Sequence, residues 1–338
     1  MRAYAHPDES LHDPKFFLMR GRLRSNFETP ARARSLRAGL ARLGIEAEAP
    51  TMATAADAAS LHIPAYLDFL RDAPAQWAAL PEAGAEIVAN IHPSPEMLAQ
   101  MGTAPAHVIA RAGHFTADAA CPIGPGTWAA SLSALGCALA AAAEAAAGRT
   151  AYALCRPPGH HAYAARAGGH CYLNNSALAA QALRDAGAAR VAVLDIDSHH
   201  GNGTQGIFWD RTDVLTVSIH ADPGFYYPWY VGFAGEVGSG ENLNLPLAMG
   251  SGDEPWLAAL TVAVERLRVF RPDALVLALG FDASEHEPLA ALRVTGDGFA
   301  RAAEAISGLG LPTAICQEGG YAIEHLADLL ARFLGTWR

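Results

Sequence analysis

The sequence predicts an α/β fold with a mostly parallel central sheet and helices on both faces. Three observations predict it. From residue 150 onward, short apolar runs alternate with longer amphipathic segments. The runs are apolar without a break, as in strands covered on both faces. Nearly every unusual polar or aromatic cluster directly follows one of these runs, at the sheet edge where ligands bind in such folds.

Taken in order, residues 31–43 and 55–70 carry helical spacing, and residues 81–120 form a long, Pro-punctuated loop excursion. The stretch GTWAASLSALGCALAAAAEAAAG, 126–148, reads as a helix of small, high-propensity side chains closed by Gly148, suited to lie close against a sheet. Strands are expected in TAYALC (150–155), ARVAVLDI (189–196), DVLTVSIH (213–220), DALVLALG (273–280) and PTAICQ (312–317). Helical spacing at 176–186, 254–270, 298–307 and 323–333 supplies the crossovers that parallel strands require. With 338 residues, 51% hydrophobic and 17% charged, the chain can bury a large core and reads as one domain, 1–338.

Composition excludes several function classes. A net charge of -10 repels phosphate backbones, and only Arg20–Arg24 and the 32–42 helix concentrate positive charge, so no nucleic-acid partner is expected. The N-terminus has no apolar signal-like run. The longest apolar stretch, 138–147, is interrupted by Glu144 and reads as too short and too weakly hydrophobic for a membrane span. Five cysteines without a CxxC pair imply reduced thiols and a cytoplasmic protein.

The densest cluster is LDIDSHHGNGTQ, 194–205. Asp197 and His199 are two apart, so on a strand end both side chains point to one side, and Asp282 arrives from another strand end. One imidazole and two carboxylates make a three-ligand site for a divalent cation with positions left open, as catalytic zinc requires. His160 and His161 follow a rigid Pro-Pro-Gly turn, with Asp195 and Asn202 placed to receive their N–H groups. A carboxylate behind one imidazole and an amide behind the other would separate their pKa values, as acid–base work needs. Tyr321, in EGGY, can donate to a developing oxyanion.

The ordered set PGTW, CRPPGHHA, GGHCYLNNSA, LDIDSHHGNGTQGIF, VSIHADP, GFDASEHEPL and QEGGY resembles the histone deacetylase superfamily, and within it the acetylpolyamine amidohydrolase branch. FETPARA and LHIPAYLDFL extend the likeness toward the N-terminus. The resemblance implies an arginase-like α/β fold, a zinc ion on Asp197, His199 and Asp282, and hydrolysis of an acetylated amine. It implies that His160 and His161 act on the water and the leaving amine, and that Tyr321 binds the carbonyl oxygen. A structural potassium ion is implied at Asp195 and Ser218 Oγ with the carbonyls of Asp197, His199 and Ile219, and a second monovalent cation near Phe208 and Val214. Substrate contacts fall on Gly169, His170, Tyr227 and Leu289, and the 81–120 excursion suggests a homodimer.

The chain departs from the pattern in two places. His170 stands where an aromatic wall is usual, and Ile109 and Ala120 stand where polyamine-handling members carry acids, with Asp118, Glu285 and Glu287 as possible substitutes. An acetyl-lysine side chain or another small acylated amine therefore suits the site as well as an acetylpolyamine. Two other readings stay open: a dimanganese ureohydrolase of the same fold, and a non-catalytic binder of acylated amines.

Overall fold

In the computed structural model, which describes residues 1–289 and 291–337, eight strands form one sheet in which every neighbouring pair is parallel. The five expected strands are there: β5 (Ala151–Ala153), β6 (Val191–Asp195), β7 (Val214–Ala221), β9 (Ala274–Leu279) and β10 (Thr313–Gln317). Three more extend the sheet: β1 (Arg2–Tyr4), β4 (Ala47–Glu48) and β8 (Asn242–Leu247). The order is β4-β1-β5-β10-β9-β6-β7-β8, with the expected strands contiguous in the middle and the short or mixed-polarity ones at the ends.

The unbroken apolar runs follow from two cores. Leu275, Leu277 and Leu279 of β9 and Ile315 of β10 face one core, shared with α1 (Pro30–Arg42), α9 (Asp253–Phe270), α10 (Gly296–Ser307) and α11 (Ile323–Leu334). Ala274 and Val276, with Ala314 and Cys316, face the other, which is lined by smaller side chains. There α6 (Thr127–Ala146) lays Ala134, Ala138, Ala141, Ala142 and Ala145 on the sheet beside α7 (Asn175–Asp185). By length and composition alone α6 could cross a membrane, against the expectation from its sequence, but 72% of its apolar window is buried inside this fold as a core helix. All five cysteines are buried and unpaired.

The first third departs most from expectation. The helix expected over 55–70 is two, α2 (Ala55–Ala58) and α3 (Pro64–Ala78), because Pro64 has no N–H to continue a helix and instead begins one. The excursion 81–120 is not loop throughout: it holds α4 (Pro95–Gln100) and α5 (Val108–Phe115), and α5 packs with α3 in a third apolar cluster. An antiparallel ribbon of β2 (Phe16–Met19) and β3 (Arg22–Ser25) stands apart from the main sheet. The segment after β6 turns into the short helix α8 (Asn202–Phe208).

Candidate active site

The carboxyl ends of β5, β6, β9 and β10 bring the singled-out residues together. His199 Nδ1 lies 2.7 Å from Asp282 Oδ2 and 3.1 Å from Asp197 Oδ1. One ligand atom from each of the three residues falls within 4.8 Å of the others. The remaining carboxylate oxygens are oriented by backbone: Asp197 Oδ2 accepts from Gly319 N–H at 2.8 Å and Asp282 Oδ1 from Ser198 N–H at 2.8 Å. Both aspartates are fully buried. Burial alone would lower the His199 imidazole, but its bonds to Asp197 and Asp282 outweigh it and push it up to about 9. A bound dication would displace that proton. At Gly319 a Cβ would stand 2.5 Å from Asp197 Oδ2 and 2.7 Å from Asp282 Oδ2, so only glycine leaves the space beside both carboxylates clear. Two hard oxygens and one nitrogen, buried, convergent and uncrowded, suit a small divalent cation.

The tandem histidines sit beside this cluster with ring centroids 4.0 Å apart. His160 Nδ1 pairs with Asp195 Oδ2 at 2.9 Å, and His161 Nδ1 with Asn202 Oδ1 at 2.6 Å. Burial disfavours the charged His160 ring, but the carboxylates of Asp197 and Asp195 prevail and hold its pKa well above the ordinary histidine value. Burial, then the charges of His160 and His199, push His161 well below it. The two imidazoles are thus separated in the sense expected from a carboxylate behind one and an amide behind the other.

Above this floor opens a cavity of about 420 Å³. His161, His199 and Tyr321 line its base, and Gly169, His170, Tyr227 and Leu289 its walls. Gly169 has φ of +52°, and a Cβ there would meet the His161 ring at 2.4 Å, so the wall closes directly on the histidine. Tyr227 meets His161 edge-on at 4.8 Å. Burial raises the Tyr321 phenol well above its usual pKa, keeping it a proton donor. His170 packs edge-on against Phe17 at 5.6 Å, and burial takes its pKa down to about 4, so at neutral pH it is an uncharged wall. Trp229 also lines the cavity, whereas Tyr230 and Phe233 lie outside it.

The resemblance runs over nearly the whole chain. The Histone deacetylase domain matches residues 26–336. The chain belongs to the histone deacetylase family. An acetylpolyamine amidohydrolase of Burkholderia pseudomallei is 47% identical over 99% of this chain and 98% of its own length. One from Mycoplana ramosa is 35% identical over 99% and 98%. A crystal structure of acetylpolyamine aminohydrolase from Burkholderia pseudomallei superposes with a TM-score of 0.95 at 45% identity, covering 100% of this chain and 98% of that one.

Within this histone deacetylase fold, Glu318, Arg32 and Glu287 hold the turns that carry the tandem histidines and Tyr321. Glu318 is fully buried and its side chain accepts from Gly159 N–H (2.7 Å), His160 N–H (3.1 Å) and Ser176 Oγ (2.7 Å), fixing the turn that carries both histidines. Arg32, buried in FETPARA, donates to the carbonyls of Gly320 and Glu318, each at 2.6 Å, and to Glu28 Oε1 at 2.9 Å. Glu287 takes the other side of that turn, accepting from Tyr321 N–H at 3.0 Å and Ala322 N–H at 3.3 Å. The turn presenting Tyr321 is therefore clamped through both its carbonyls and its amides. Glu285 and Glu287 do not replace the missing acids in the cavity: Glu285 faces a separate surface groove and Glu287 is spent on the backbone. Asp118 does line it, but its carboxylate is occupied by Tyr227 Oη (2.6 Å), Gly169 N–H (3.1 Å) and Ala120 N–H (2.7 Å).

The expected monovalent-cation positions are less distinctive. Ser218 Oγ pairs with His220 Nδ1 at 2.9 Å, beside a small void of about 10 Å³ that Asp195 also lines. Phe208 and Val214 are buried in the smaller-residue core.

Proposed function

We propose that the chain hydrolyses an acetylated amine, such as an acetylpolyamine or an acetyl-lysine-like side chain, to acetate and the free amine. The convergence of Asp197, His199 and Asp282 at the base of a cavity that also presents Tyr321 carries this reading. Asp197, His199 and Asp282 would hold the divalent cation, zinc by its donor set. Bound there, it would polarise the acyl carbonyl and acidify water.

The protein's own residues would do the rest. The cavity walls, Gly169, His170, Tyr227 and Leu289, pack along the acyl-amine chain and exclude water. His161, the neutral member of the pair and the one lining the cavity, takes the proton of the attacking water and delivers it to the departing nitrogen. His160, held by Asp195, keeps a positive charge beneath that site. Tyr321 donates to the oxygen on which negative charge develops. Asp195 and Ser218 Oγ with the carbonyls of Asp197, His199 and Ile219 are proposed to hold potassium, with a second monovalent cation near Phe208 and Val214. A homodimer through the 81–120 segment and a cytoplasmic setting, suited to five unpaired cysteines, complete the reading.

Acetate release by the zinc-loaded protein across acetylputrescine, acetylspermidine and acetyl-lysine peptides tests the activity. Binding of these amides without acetate release from any of them would favour the non-catalytic binder instead.

A further inference from the structure

Resting on this reading of the site, we infer that His170 recognises a second nitrogen of the substrate: its ring accepts a hydrogen bond from a protonated amine set into the chain beyond the acetamide. The site then distinguishes an internal amine from the methylene that would replace it. His170 lines the cavity and is 8% exposed. Its ring centroid lies 6.0 Å from that of Tyr321, so a chain whose carbonyl oxygen meets Tyr321 runs past His170. Nδ1 is buried and has no hydrogen-bond partner among the described residues. Nε2 has none there either but is not enclosed, so it is the nitrogen that opens on the cavity. The ring's packing gives no reason for an imidazole, since Phe17 and Tyr321 meet it as they would meet a phenyl group. A buried ring with both nitrogens unpaired costs free energy that phenyl in the same place would not, and a ligand N–H recovers part of it. Gly169 and His170 are both left-handed, with φ of +52° and +67°, and His170 N–H donates to the Ala120 carbonyl at 3.2 Å, which fixes the backbone carrying the ring.

The charge state agrees with the role. Desolvation takes the imidazole down to about 4, so at neutral pH it does not repel a cation. With its proton on Nδ1 it turns a lone pair to the cavity. The other polar walls are occupied. Asp118 is the one carboxylate among the described residues lining the cavity, and it accepts from Tyr227 Oη, Gly169 N–H and Ala120 N–H. Tyr226 Oη is also buried without a partner, but that ring stacks on His199 at 4.6 Å and belongs to the floor. An ammonium group passing between the walls sheds water, and a charge-assisted bond to Nε2 compensates it there.

Three acetamides of matched length isolate the nitrogen: N1-acetylspermidine, N8-acetylspermidine and N-(8-aminooctyl)acetamide. All end in the same primary ammonium, and the last has a methylene in place of the internal amine. Aromatic walls alone would favour that methylene. In kcat/KM on zinc-loaded protein, one of the acetylspermidines is expected to exceed the octyl compound by about tenfold, and which one it is reports how far along the chain His170 reaches. His170→Phe, which keeps an aromatic wall, should abolish or invert that ratio, and His170→Gln, which restores an acceptor, should keep part of it. The ratio is read within one preparation, so loss of folded protein cancels from it. An octyl compound hydrolysed as well as both acetylspermidines by the unaltered protein overturns the inference and leaves the hydrolase reading standing. A ratio unchanged in His170→Phe does the same. Failure to release acetate from any of the three rejects the hydrolase reading and the inference with it.

Discussion

The floor and the mouth of the cavity are built on opposite principles. On the floor the ionisable groups are buried and held by one another: Asp195 on His160, Asn202 on His161, backbone amides on Asp197 and Asp282, Glu318 on the histidine turn. At the mouth, Leu18, Arg20 and Trp229 line the cavity and are exposed. In a low-dielectric floor each unpaired charge would be costly, so the residues there are mutually determined. At a wet rim a charge costs little and contributes little to stability, so it is available for choosing substrates. The difference teaches that the parallel strand ends fix the cluster of ionisable residues, while appended segments supply the rim of the cavity.

Breaking the floor should have the largest consequences. Tyr321→Phe keeps the ring between Phe27 and His170 but removes the donor, and kcat should fall roughly 10²- to 10³-fold while KM changes little. A loss confined to KM would place Tyr321 in binding alone. Arg32→Met leaves buried Glu28 with Arg156 as its one remaining guanidinium partner, beside His12; such a broken buried pair should cost about 3–5 kcal/mol in denaturant unfolding, with activity lost in parallel as the Tyr321 turn loosens. Asp195→Asn should lower activity about 10- to 100-fold and shift the pH–rate profile, since the amide no longer raises His160.

Acid should act on buried histidines throughout the structure before it acts on the rim. His62, buried and accepting from Asn174 N–H at 3.0 Å, is pushed down to about 4 by desolvation, and His220 to about 4 in the same way. Their folded pKa values lie below the unfolded value, so as pH falls the unfolded chain takes up protons first. Stability from these imidazoles is complete above about pH 6.5 and is lost as pH falls toward 4, about 2 kcal/mol for each by pH 5. Unfolding free energies at pH 7 and pH 5 check this; equal values would mean that the imidazoles are not held neutral. The smallest effect is expected at the mouth: Asp118→Ala frees Tyr227 and Gly169 and should raise KM a fewfold with kcat nearly preserved. A large kcat loss there would erase the contrast between the two regions.

The same contrast explains what was legible in the sequence. The central strands were readable because both faces are buried, leaving unbroken apolar runs, and the floor was readable because its ionisable residues interrupt those runs at their ends. The outer strands were not: β1 is three residues long, β4 is two, and β8, NLNLPL, mixes asparagine and leucine. Glu318 gives no signal in the sequence, and Glu287 reads there as a candidate substrate-facing acid, because their partners are mostly backbone amides, which leave no pattern in sequence. Arg32 bonds to carbonyls nearly 290 positions away in the chain, a separation that local periodicity does not register. The ribbon's residues carry alternation too short and too polar to distinguish a two-stranded ribbon from loop, although the Arg20–Arg24 charge run was visible.

The central claim is that Asp197, His199 and Asp282 together seat one divalent cation on which the activity depends. Metal content measured alongside acetate release, before and after chelation and in Asp282→Asn, tests it most directly. One tightly held ion per chain is predicted, with activity lost on chelation, restored by one equivalent of zinc, and not restored in the variant. Full activity in chelated, metal-free protein, or a requirement for two manganese ions per chain, would contradict it.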